Sequence, residues 1–266
     1  MQFPWSPTHN GEARADEEWR GEPTLGTKMF EYLTAAKRIQ LAKAKTDRAV
    51  DHLLYLLALH ENNAIITYSD RLSSQIKFAH AAEAFKVFRS GLYQFEVVRL
   101  CALWDRAKED KKKKKIPTEE SIPTIIELID LPRVIDALEK KVKRQWPKPD
   151  DKKFAHEQAQ KARVELEKAI KDVRKISKSS MLRSTMNVRH KHLAHSLSKT
   201  KPGIARMKYG YERKLLFKSL PIVETLHRWI NGKGFSLARS QENARNHAEA
   251  LWKGCTFDIK RWPAGR

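Results

Sequence analysis

The chain has 266 residues, enough for one large domain or one domain with extensions, and its 41% hydrophobic content suffices for a packed core. Fifty-three Lys and Arg against 32 Asp and Glu leave a net charge of +21, which points to a polyanionic partner, with nucleic acid favoured over an acidic membrane surface. Two cysteines, Cys101 and Cys255, are too few for a disulfide framework or a cysteine-based zinc site.

Taken in order, residues 1–26 carry Gly and Pro punctuation around Trp5 and Trp19, with no sustained period, and read as a loose arm. No basic n-region followed by an apolar core marks a signal peptide. From Thr27 to about Ala64, Tyr32, Ala35, Ile39, Ala42, Ala49, Leu53, Leu56 and His60 form one helical stripe, with Asn62-Asn63 as its end or a bend. The run Leu53–Leu59 is its longest apolar stretch, well short of the ~20 residues a membrane-spanning helix needs. A cytoplasmic protein is expected.

A second long helix is expected from about Asp70 to Arg106, on the stripe Leu72, Ile76, Ala79, Ala82, Phe85, Phe88, Leu92, Phe95 and Val98, with Gly91 a place to bend. Lys111 to Lys115 repel one another and read as a solvated connector. Ser121 caps a third helix with Pro123 in its first turn; Leu131-Pro132 interrupts it, and it resumes to about Gln145. Trp146 to Asp151 is a break. A fourth helix then runs from Asp151 on the seam Ala162, Leu166, Ala169, Val173, Ile176 and Ser180, flanked by many Lys and Arg. Lys199 to Gly203 reads as a loop, and a short strand is conceivable near Tyr209–Phe217. Ser219 is expected to cap a helix with Pro221 in its first turn, ending at Asn231-Gly232, and a last helix covers about Ser236 to Trp252. The fold class is all-α: a bundle of four long helices with additional C-terminal helices. The expected divisions are an arm over 1–26, a helical domain over 27–232, and a C-terminal helix and tail over 233–266.

One constellation suggests chemistry. The fourth helix closes on Asn187-Val188-Arg189-His190-Lys191-His192-Leu193-Ala194-His195-Ser196. Arg is a permanent cation and His exchanges protons near neutrality, a minimal kit for a phosphodiester. At about 100° per residue, Arg189, His192 and Ser196 share a face, while His195 stands about 120° from Arg189. The two converge on one phosphate if the helix end loosens or a dimer completes the site. The plainer reading is a basic helix end that complements its dipole. His192 and His195 are spaced to face one metal ion, but Val188 to Ser198 offers no further ligands, so no metal and no cofactor is expected. His52, His60, His80 and His156 read as surface or satisfied core residues, and Asp105 as an ion-pair partner of Arg189 or Arg99 or a plain surface carboxylate. Glu96 and Arg99, three apart, read as a helix pair.

The segment Val188 to Ser196 resembles the Arg-Asn-Lys-His-x-Ala-His pattern of the HEPN superfamily (higher eukaryotes and prokaryotes nucleotide-binding), in its abortive-infection, U-type branch. Phe95 to Asp105 resembles that branch's helix ending in Leu-x-x-Leu-Asp, and the lysine-rich loop and Ser121 to Ile126 follow in its order. The resemblance covers roughly residues 30–230. His190 stands where the branch usually has Asn, and Trp104 where it often has a smaller aliphatic. The resemblance implies a metal-independent endoribonuclease formed by two protomers that pack their motif helices into one cleft. It assigns Arg189 and His195 as the catalytic pair and His190 as the motif's polar position. His192, Ser196 and Asp105 are supporting candidates, and Lys191, Arg183 and Lys178 candidate RNA contacts. It implies RNA as substrate and a homodimer, with an antitoxin as a candidate partner; the short apolar runs give no membrane partner. Two other readings stay open: a non-catalytic basic helical module that binds RNA or protein, and a DNA-binding regulator, for which no short helix-turn-helix is visible.

Overall fold

The computed structural model describes residues 30–76, 81–107, 118–146, 152–190 and 207–257. Among these residues all regular structure is helical, and the order is α1 (Ala35–Tyr68), α2 (Asp70–Ile76), α3 (Ala81–Leu103), α4 (Ile122–Ile129), α5 (Pro132–Lys143), α6 (Lys152–Ser177), α7 (Ser180–Val188), α8 (Tyr211–Leu226) and α9 (Leu237–Gly254). The expectations for residues 1–26, for Lys111 to Lys115, for Lys199 to Gly203, for His80 and for the tail from 258 to 266 lie outside the described residues.

α1 is the axis of the molecule. Its N-terminus is set by Thr34, whose hydroxyl accepts from the Lys37 amide at 3.3 Å. One stripe of α1 (Ala42, Ala49, Leu53, Leu56 and Leu57) is buried in the main core. The helix passes Asn62-Asn63 and ends at Tyr68, because both asparagines find partners: Asn63 donates to Glu96 and Asn62 accepts from Trp252. α3, α4, α5, α8 and α9 pack around it.

α4 is short but buried along its whole length. Ser121 caps it by accepting from Thr124, with Pro123 in the first turn as expected. A dry helix end leaves carbonyls to satisfy. Arg38 of α1, 1% exposed, does this by donating to the carbonyls of Glu127 and Leu128, and also to Phe30. α5 and α6 lie side by side, with Ala159, Ala162, Leu166 and Val173 on the buried seam, and Arg163 reaching back to Asp136 and Glu139.

Four further expectations about the elements need correction. The helix expected over 70–106 is two helices, α2 and α3, with residues 77–80 between them outside the described set. Gly91 lies inside α3, where a Cβ would meet nothing within 4 Å. The fourth helix is also two: Ser179 takes an extended backbone and accepts from Leu182, so α7 starts afresh after α6. The stretch expected as a strand near Tyr209–Phe217 opens helix α8, behind a left-handed Gly210 with φ of 78°. Ser219 and Pro221 sit inside α8 rather than at its start, and the Ser219 hydroxyl donates to Leu215 while accepting from the Trp104 indole at 2.9 Å. The α8 end was legible: the chain passes through a π turn, His227–Asn231, and stops at left-handed Gly232 with φ of 74°.

Candidate functional site

The site is built where the C-terminal ends of α3 and α7 meet. α3 buries Val97, Leu100, Cys101 and Leu103 and ends in a tight turn in which Trp104 and Asp105 donate their amides to Cys101 and Ala102. Trp104 is 1% exposed and fixed by Ser219 of α8, so the bulk that departs from the branch pattern fills the core. The Asp105 carbonyl accepts from Ser121, which ties the end of α3 to the cap of α4. The Asp105 side chain is thereby held at a fixed height above α3.

α7 brings the cation. Ser179 caps it, Ser184 and Thr185 turn their hydroxyls back to Met181, and Val188 packs with Val97, Cys101 and Met207 in a small apolar cluster. The Cys101 thiol leans on the Thr185 carbonyl at 3.6 Å. Burial pushes that thiol up to about 12, so it stays protonated and serves as packing, as the sequence suggested. The helical hydrogen bonding loosens to a π turn at Arg189 and His190.

There Arg189 donates Nη1 to Asp105 Oδ2 at 2.5 Å, with side-chain exposures of 17% and 36%. Its Nη2 lies 3.0 Å from His190 Nε2. Guanidinium nitrogens only donate, so that ring nitrogen carries no proton and His190, exposed, is an acceptor in this geometry. Of the two partners open to Asp105 in the sequence, the structure selects Arg189. Arg99 instead lies over the rings of Tyr55 and Phe95, at 5.0 and 5.9 Å from their centroids. Glu96 does not pair with Arg99, which replaces the helix pair expected from their spacing. Its side chain turns inward, 1% exposed, to His60 at 2.7 Å and to Asn63 at 2.6 Å. His60 is therefore a satisfied core histidine.

Of the remaining candidates, Lys178 lies exposed in the turn before α7 and Arg183 exposed in its first turn, and neither makes an ion pair among the described residues. Lys191, His192, His195 and Ser196 lie outside the described residues. Among the described residues no three His, Cys, Asp or Glu side chains cluster as metal ligands do. No helix there is long and apolar enough to cross a membrane.

Sequence reasoning missed the buried polar network beneath the site. Tyr93 hydrogen-bonds Glu212 of α8, whose carboxyl is raised by burial and by the nearby Glu96. Its signal was present as Tyr93 and Glu96 three apart on an apolar helix. What the sequence lacks is the facing helix, since the stretch around Glu212 leaves a short strand open as well.

A family model described as AbiU2, of HEPN type, matches residues 42–251. The match reaches into α9, beyond the motifs that carry the resemblance in the sequence. Neither a curated protein nor a solved structure gives a significant match.

Proposed function

This chain belongs to the HEPN-type AbiU2 family, and on that premise we propose that it is a metal-independent endoribonuclease of an abortive-infection system, acting as a toxin or phage-defence effector. The observation that carries the reading is Arg189: a guanidinium fixed by Asp105 at a helix end, six positions before His195 in an Arg–His motif.

The reaction is attack of an RNA 2′-oxygen on the adjacent phosphorus. The P–O5′ bond breaks, leaving a 2′,3′-cyclic phosphate and a 5′-hydroxyl. The nucleophile is already in the substrate. Charge grows on the phosphoryl oxygens in the transition state, and a pre-placed guanidinium stabilises it without reorganising. Arg189 has the donors for this: Asp105 takes a hydrogen of Nη1 and His190 one of Nη2, and among the described residues no other partner is seen for the rest of the fork, which can meet a phosphate. His195 moves the proton from the 2′-oxygen or to the 5′-oxygen. His192 and Ser196 support it, and Lys191, Arg183 and Lys178 contact flanking phosphates. Two protomers bring their motif helices together in one cleft, and an antitoxin silences it.

The test is full-length protein incubated with RNA in EDTA. Cleavage that persists in EDTA and is lost in His195→Ala and Arg189→Ala supports the reading. RNA binding without cleavage, unaltered by both substitutions, would leave a basic RNA-binding module instead.

A further inference from the structure

Away from the Arg189–Asp105 pair, a second surface has the makings of a nucleic-acid contact. Tyr55 of α1 and Phe95 of α3 meet edge to face, with centroids 6.2 Å apart, and are 48% and 42% exposed. Large aromatic rings so exposed are not core. Arg99, one turn on from Phe95, spreads its guanidinium over both rings. It makes no ion pair among the described residues, and its Nε is buried with no hydrogen-bond partner. A guanidinium that has traded water for two π faces, and no carboxylate, retains its charge for an anion from outside.

The position matters as much as the composition. On α3, Arg99 borders α1, while Cys101 and Asp105 border α7 and α8. Between them the outer face of α3 carries Gln94, Val98 and Ala102, all at least partly exposed. Asp105 follows Arg99 by six positions, in the turn just past the end of α3.

We propose that Tyr55, Phe95 and Arg99 form a base-stacking subsite for single-stranded RNA, holding an unpaired base of the strand whose phosphate lies at Arg189. This rests on the ribonuclease reading for its anchor at Arg189, but it adds the substrate class. Bases in a duplex keep their faces covered, whereas a single strand offers them to aromatic and guanidinium planes. The net charge of +21 supplies the sequence-independent attraction, and the rings supply the preference for unpaired bases.

The experiment uses full-length His195→Ala protein, which binds without cutting, with a short labelled RNA offered single-stranded or annealed to its complement. The single strand binds more tightly. Tyr55→Leu with Phe95→Leu weakens the single strand roughly ten- to a hundredfold and leaves the duplex and the salt slope unchanged. Arg99→Met weakens it and lowers the salt slope by about one. Tyr55→Phe, which keeps the ring, binds as the parent does, and unchanged melting curves show that the folds match. In the cleaving wild type the leucine pair raises KM and spares kcat. Equal binding of single strand and duplex, or leucine variants that bind like the parent, overturns the proposal. So does a change in sedimented mass with RNA binding unaltered, which would make the face a docking surface for a second copy. If wild type never cleaves RNA yet the leucine pair still loses the single strand, the ribonuclease reading fails and the stacking subsite stands.

Discussion

Asp105→Asn is the most informative single change at the site. It preserves shape and an acceptor oxygen but removes the charge facing Arg189 Nη1 at 2.5 Å. Two unit charges about 4 Å apart at an effective dielectric near 20 attract by about 4 kcal/mol before other terms. Asp105 is 36% exposed, so solvent screening and side-chain ordering reduce the net to about 1 kcal/mol of stability. The effect on catalysis is expected to exceed this. Arg189, 17% exposed, has His190 as its other partner, and that contact alone does not fix the fork. A misplacement costing about 2 kcal/mol of transition-state stabilisation lowers kcat about thirtyfold. The assay is single-turnover cleavage of RNA with parallel urea unfolding. Asp105→Glu, which restores the charge on a longer stem, is expected to recover part of kcat. If Asp105→Asn cleaves at the wild-type rate, Asp105 does not position Arg189. If kcat falls only in proportion to the folded fraction, the pair is structural.

Three further outcomes follow from the rest of the molecule. Arg38→Met leaves the carbonyls at the end of α4 without donors in a dry site, and is expected to cost about 3 kcal/mol in urea unfolding while leaving the chemistry of the folded fraction unaltered. Trp104→Ala opens the core beneath the end of α3 and is expected to cost about 3–5 kcal/mol, read as a lowered denaturation midpoint. Two histidines shape stability against pH in opposite directions. Burial and the nearby Arg99 hold His52 down to about 4, against 6.5 when unfolded, so stability falls as pH drops between those values, and His52→Asn flattens that limb. Burial pulls His60 down, but its hydrogen bond to Glu96 and that carboxylate's charge outweigh it and hold the ring above 6.5. Its contribution is therefore present below 6.5 and lost as pH rises through the raised value, and His60→Gln flattens that decline in urea midpoints measured across pH.

The elements most legible from sequence were those whose signals are local. Ser121 with Pro123, Leu131-Pro132, Asn231-Gly232 and Ser236 each carry their own cap or stop chemistry, and each marks a boundary in the structure. The α6–α7 break was missed because the apolar seam runs on through Ile176 and Leu182, hiding that Ser179 leaves the helix to cap the next one. The start of α8 stays ambiguous in the sequence because the aromatic and aliphatic residues of Tyr211 to Phe217 also suit a short strand, whereas burial of Leu215, Leu216, Leu220 and Val223 follows a helical stripe. Within the site, the Arg–His motif stands out by type and spacing, and Asp105 only through the resemblance of the helix it ends. The choice of Arg189 over Arg99 as the partner of Asp105 does not, because it depends on α7 rather than α1 lying beside the end of α3. For the same reason the Tyr55–Phe95–Arg99 cluster was invisible: its members lie on two helices, 40 positions apart in the case of Tyr55 and Phe95.

The central claim is that Arg189 and His195 cleave RNA without a metal, and the most direct measurement is the chemistry of the ends. Full-length protein is incubated with end-labelled RNA in EDTA, beside Arg189→Ala and His195→Ala, and the fragments are resolved by mass. Fragments ending in a 2′,3′-cyclic phosphate with 5′-hydroxyl partners, from wild type alone, are the predicted result. Intact RNA from folded wild-type protein, or the same fragments from all three proteins, would contradict it.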